Sequence, residues 1–134
     1  MNLTLIGKEL AIPFVVDYTR RWNIAFSEDG SQNVQWVGAW DGPCLRAVLG
    51  LQDVENEPEA VFVYGFYGDG SERAAKALSA LAKALDKVPN TLYGQVYLPN
   101  LTMVRAAVRR GWKIVSTSVQ HGRYYINRPK KVAA

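Results

Sequence analysis

Three groups of residues in this 134-residue chain are of types that bind ligands or do chemistry. The first is the turn Gly68-Asp69-Gly70-Ser71-Glu72-Arg73. An apolar run, Ala60–Phe66, leads into it, and a helical pattern leads out. A glycine turn at such a junction directs backbone N–H groups to the positive end of a helix dipole, which suits a phosphate; Arg73 adds charge. Asp69 opposes an anion there, and the side chain of Glu72 limits close approach. The same residues also suit an ordinary strand-to-helix turn with Asp69 or Ser71 as helix cap. The second group is Asn100, which precedes the short helical run Leu101–Arg110 and is of a type favoured at N-caps. The third is aromatic and basic: Trp112, Tyr124 and Tyr125 beside Arg109, Lys113 and Arg123. Such residues stack nucleotides in other proteins. Here their alternation reads as strand packing, so nucleic acid is the disfavoured partner.

Charge is unevenly spread. All 12 carboxylates lie at or before Asp86, whereas Arg105, Arg109, Arg110, Lys113, Arg123, Arg128, Lys130 and Lys131 follow Asn100. This asymmetry fits an anionic partner and equally a solvated basic face. Other chemistries have little to build on. His121 is the only histidine and sits beside Gly122 in a turn; no zinc spacing, G-x-S-x-G or Walker sequence occurs, and no metal is expected. The single cysteine, Cys44, excludes an internal disulfide framework and reads as a buried thiol, not a nucleophile. Apolar residues make up 49% of the chain, with 4 Trp and 7 Tyr, which points to a folded globule. No run reaches the roughly 20 apolar residues of a membrane span. The start, MNLTLIGKELAIPFVV, lacks a charged n-region and a cleavage site, so no signal peptide and a cytoplasmic location are expected.

The elements that must position these residues follow from periodicity. Asn2–Ile6 alternates as a strand. In Glu9–Ala25, Val15, Tyr18, Trp22 and Phe26 fall three and four apart, which predicts a helix with Pro13 in its first turn. Ser27–Asn33 is a polar loop. Val34–Trp40, Cys44–Leu51 and Ala60–Phe66 read as a three-stranded meander, with an acidic loop at Asp53–Glu59. Arg73–Asp86 carries Ala74, Ala75, Leu78, Leu81, Ala82 and Leu85 on one helical face. Thr91–Leu98 is a strand, Leu101–Arg110 a helix, and Lys113–Ser118 with Arg123–Asn127 a closing hairpin. Arg128–Ala134 is expected to fray. The order β-α-βββ-α-β-α-ββ predicts one α+β domain over residues 1–134, with a mostly antiparallel sheet of about seven strands and three helices. An exposed edge at Arg123–Asn127 offers a place for pairing with a partner or another copy.

This order resembles the GNAT superfamily of acyl-CoA-dependent N-acetyltransferases across nearly the whole chain. Asn100, ten further residues and Gly111-Trp112 fit the family's N-x(10)-G-F motif. The R/Q-x-x-G-x-G/A motif is degraded: aligned through Gly70 and Arg73, its first position is Tyr67 and its second glycine is Glu72. The position of the family's frequent tyrosine acid is Ala107. The resemblance implies acetyl-CoA as cosubstrate. It would be held by the backbone of Phe62, Val63 and Tyr64 where the fourth and fifth strands splay, by the turn residues Gly68, Gly70, Ser71 and Arg73, and by Asn100. It implies direct acetyl transfer to an amine-bearing small molecule or protein, with Glu59, near Glu57, as base acting through water. Tyr97 is the candidate acid in place of Ala107, with Tyr124 and Tyr125 as other choices. The degraded motif equally implies an inactive binding or structural protein of the same fold. In its compact size and its Thr91–Lys113 segment the chain is also similar to small acetyltransferase-like proteins of tailed phages, which would imply host cytoplasm or a virion partner.

Overall fold

Apolar alternation and two helical stripes dictate a sheet covered on both faces. The computed structural model describes residues 1–24 and 33–131. Its elements are β1 (Asn2–Ile6), α1 (Lys8–Arg21), β2 (Gln35–Asp41), β3 (Cys44–Val54), β4 (Glu57–Gly68), α2 (Ala74–Asp86), β5 (Thr91–Tyr97), α3 (Leu101–Arg109), β6 (Lys113–Ser118) and β7 (Arg123–Arg128). The predicted order is therefore the observed one. Phe26 and most of the polar loop expected at Ser27–Asn33 lie outside the described residues.

The seven strands form one sheet in the order β1-β2-β3-β4-β5-β7-β6. β4 and β5 are parallel; every other neighbouring pair is antiparallel. One face carries α2 and α3. Its core joins Leu81, Leu85 and Val104 of the helices to Leu49, Val63, Leu92 and Ile126 of the strands. The other face carries α1, where Ala11 and Val15 pack on Trp36, Val48 and Tyr67. Leu81 and Leu92 are fully buried; truncating a leucine in such a place to alanine costs about 3 kcal/mol.

Several local expectations are corrected. α1 starts at Lys8, so Pro13 sits in the second turn, where its ring nitrogen cannot donate to the Glu9 carbonyl. The acidic stretch Asp53–Glu59 is mostly strand: β3 and β4 turn tightly through Glu55 and Asn56, and Asn56 takes a positive φ of 64°. Glu57 and Glu59 therefore project from β4. Cys44, expected to be buried, is exposed beside the β2–β3 turn. The edge assigned to Arg123–Asn127 is interior. β7 lies between β5 and β6, so β6 is the edge strand and exposes Val115. β7 also takes in Arg128, expected to begin a frayed tail. Arg128 is buried, and its guanidinium donates to Leu85 O at 3.1 Å, Asn90 O at 2.7 Å and Val88 O. It thereby ties β7 to the last turn of α2 and to the segment that follows it.

Candidate active site

Two irregularities in β4 create the site. The first is a bulge on its β3 side. Gly50 pairs with Gly65 but Leu51 pairs with Val63, so Tyr64 is extra. The bulge shifts the alternation: Val63 and Phe66 contribute to the core under α2, and Tyr64 and Tyr67 to the core under α1. Gly65 is required there, since a Cβ would lie 2.4 Å from Tyr67 Oη. The second irregularity is on the β5 side. Pairing runs only from Ala60↔Thr91 to Val63↔Gly94, although β4 continues to Gly68 and β5 to Tyr97. The strands splay beyond Val63, leaving the β5-facing edge of Tyr64–Gly68 without a strand partner.

The gap is a cavity of about 720 Å³ that passes between the two faces of the sheet. On one face it is walled by Leu78 and Ala82 of α2 and by Met103, Ala106 and Ala107 of α3; on the other by Val15, Tyr18 and Thr19 of α1. Gln95, Tyr97 and Arg123 complete the α1 side. The α1 mouth is aromatic. Tyr18 meets Tyr67 edge-on at 5.2 Å, and Trp22 meets Tyr97 edge-on at 5.8 Å. Burial raises the phenols of Tyr67, Tyr18 and Tyr64 above their ordinary values. Arg123 opposes the rise at Tyr67 and Tyr64, and the Asn100 hydrogen bond opposes it at Tyr18. All three are thus neutral hydroxyls at pH 7. Asn100 caps α3, accepting from Met103 N at 3.3 Å, and its amide donates to Tyr18 Oη at 3.2 Å.

Of the residues expected at the site, Phe62, Val63, Tyr64, Tyr97 and Asn100 line this cavity. Phe62 and Val63 still pair with β5, so the free backbone begins at Tyr64. Gly68, Gly70, Ser71 and Arg73 do not line it. Gly70 does make the turn, at φ +83°, a conformation open to glycine. The N–H groups there are partly engaged. Asp69 Oδ1 accepts from Ser71 N at 2.9 Å and from Ser71 Oγ; Oδ2 accepts from Arg46 at 3.0 Å. Burial would raise the Asp69 carboxyl, but these bonds outweigh it and hold the group below its ordinary value. Arg73 pairs instead with Asp41, at 2.6 Å. Glu59 lies outside the cavity at the other end of β4, with Lys130 Nζ 2.6 Å away holding its carboxyl down.

A coenzyme A arm therefore fits in one part and conflicts in another. The β4 edge beyond Val63 has peptide groups free of a strand partner, which would suit the amides of pantetheine, whereas Asp69 already binds Ser71 in the turn where the family resemblance places a diphosphate. Reading the sequence missed Tyr18 and Gln95 at the site and offered Arg123 only beside aromatic residues of a kind that stack nucleotides, because the splay that gathers the three joins elements far apart in the chain. The one available signal was Tyr18 on the apolar stripe of α1. Among the described residues no group of His, Cys, Asp and Glu is placed to hold a metal, and no helix is long and apolar enough to cross a membrane.

No protein-family model and no curated protein matches this sequence significantly. Solved structures do match in shape. An aminoglycoside 6'-acetyltransferase of type Ii superposes with a TM-score of 0.74 at 14% identity, covering 100% of both chains. The ribosomal-protein-S18-alanine N-acetyltransferase from Escherichia coli gives 0.69 at 13%, over 99% of this chain and 96% of that one. An acetyltransferase from Bacillus subtilis, solved in complex with CoA, gives 0.65 at 13%, over 96% and 97%. The likeness extends over nearly the whole chain and includes structures of the GNAT family: the chain, with its seven-stranded mixed sheet and three helices, has the fold of the GNAT acetyltransferases.

Proposed function

We propose that this chain transfers an acetyl group from acetyl-CoA to an amine. The observation that carries the reading is the end of the β4–β5 ladder at Val63↔Gly94, which opens a cavity through the sheet. The free β4 edge from Tyr64 onward would take the pantetheine arm as a short added strand, with Asn100 at the start of α3 beside it. The amine would approach from the α1 face. Its nitrogen attacks the thioester carbonyl carbon, the C–N bond forms, the C–S bond breaks, the thiolate takes a proton, and the nitrogen, positively charged after attack, releases one, which restores the proton donor. Tyr97, which lines the gap, is the phenol assigned as that donor. Glu59, held by Lys130 outside the cavity, takes no part. The neighbours named above for an aminoglycoside and for a ribosomal-protein alanine support an amine acceptor in general terms.

One observation favours a second reading. Asp69 takes the backbone N–H and the hydroxyl of Ser71 in the β4–α2 turn, as a ligand's phosphate would. A protein that keeps the fold without the reaction, as a binding or virion component, would tolerate that.

Calorimetric titration with acetyl-CoA tests the first reading. Saturable binding is expected, with loss of binding in Ala106→Trp, whose indole would fill the gap from α3 while thermal melting confirms a folded chain. No heat and no thermal stabilisation at millimolar acetyl-CoA would overturn acetyl transfer and leave the binding-protein reading.

A further inference from the structure

The α1 mouth of the cavity has a chemical character that narrows the acceptor. Its walls carry the phenol rings of Tyr18, Tyr64, Tyr67 and Tyr97. Arg123 stands among them on β7, paired across the sheet with Tyr97. Its guanidinium donates to the neutral side chain of Gln95 and, among the described residues, makes no ion pair. Asp86 is the one carboxylate that lines the cavity among those residues. It lies at the opposite end, where Arg110 holds it in an ion pair. No histidine lines the cavity.

Two consequences follow. An alkylamine of the lysine type, with a pKa of about 10.4, arrives protonated. It would meet a guanidinium at this mouth, where the described residues offer no carboxylate to balance its charge and no base to remove its proton. An arylamine is already neutral at pH 7, because its lone pair is delocalised into the ring, and it can attack without a base. Its flat ring also suits walls of edge-on aromatics. An anionic substituent on that ring would find its counter-charge in Arg123, whose planar fork matches a carboxylate.

We propose that the acceptor subsite, on the α1 face of the β4–β5 gap, takes a neutral arylamine that bears a carboxylate, with Arg123 as the residue that selects it. This inference rests on the acetyl-transfer reading for the subsite's role, but not for its binding. The test is therefore binding of para-aminobenzoate and of spermidine to the full chain, followed by ligand-observed NMR, with and without acetyl-CoA. Saturable binding of para-aminobenzoate is expected, weakened at least tenfold in Arg123→Gln and less in Arg123→Lys, which keeps the charge without the planar fork, with no binding of spermidine. Spermidine binding as well as para-aminobenzoate would overturn the proposal, as would an unchanged affinity in Arg123→Gln or no para-aminobenzoate binding under either condition. Binding of para-aminobenzoate without any response to acetyl-CoA would uphold the subsite and count against acetyl transfer alone.

Discussion

The side-chain amide of Asn100 donates to Tyr18 Oη at 3.2 Å, joining the start of α3 to α1 across the β4–β5 gap. The same side chain caps α3 through Met103 N. One residue thus serves a local need and a long-range tie. Asn100→Ala, which removes both cap and tie, should cost about 1–2 kcal/mol, and Tyr18→Phe, which removes only the tie, about 0.5–1 kcal/mol. Thermal melting separates them: about 4 °C or more for the first and less for the second.

The carboxylate of Asp69 lies where an anion would bind, with Ser71 N 2.9 Å away. Asp69→Asn keeps an acceptor oxygen for Ser71 and removes the charge. If a diphosphate approaches this turn, acetyl-CoA affinity should rise about tenfold, the equivalent of about 1.4 kcal/mol of relieved repulsion. The same substitution alters acid stability. Because the folded carboxyl is held below its ordinary value, its contribution is complete above the unfolded pKa of about 3.9 and is lost as pH falls through the folded value. Denaturant titrations from pH 6 to pH 2 should show a smaller acid loss in Asp69→Asn than in the parent.

Burial of the Tyr67 ring between Tyr18, Tyr64 and Trp36 raises its phenol above the ordinary value. The folded state then holds the proton more tightly than the unfolded chain. Its stabilising contribution is present below about pH 10 and is lost as pH rises toward the folded pKa. Tyr67→Phe should unfold less readily than the parent above pH 10, followed by far-UV circular dichroism. Equal alkaline midpoints would count against a buried phenol.

Arg128 spends its guanidinium on three carbonyls of the α2–β5 connection. Arg128→Ala should cost about 3 kcal/mol, since it leaves several buried acceptors unpaired. Arg128→Lys should recover little, because one ammonium lacks the planar fork that reaches all three. Urea titration gives both values directly. A change under 1 kcal/mol in Arg128→Ala would show that water satisfies those carbonyls equally well.

Local pattern alone determined the elements. Alternation along Asn2–Ile6 and Thr91–Tyr97, and the leucine and alanine stripe of α2, place strands and helices within a few residues of where they lie, because periods of two and 3.6 are properties of neighbouring residues. Asn100 and the Gly70 turn were legible for the same reason. What the tertiary structure decided depends on partners far apart in the chain. Which strand of the last hairpin meets β5 is decided by pairing with a distant strand, and the expected edge, Arg123–Asn127, is interior. The end of the β4–β5 ladder at Val63↔Gly94 leaves no mark on either strand's own sequence. Arg128 reads as one more basic residue of a tail until the carbonyls of the last turn of α2 and of the segment that follows come within reach. Tyr18 and Arg123 line one cavity only when α1 and β7 close on the gap from opposite ends of the chain, since long-range pairing, not local propensity, sets where a sheet opens.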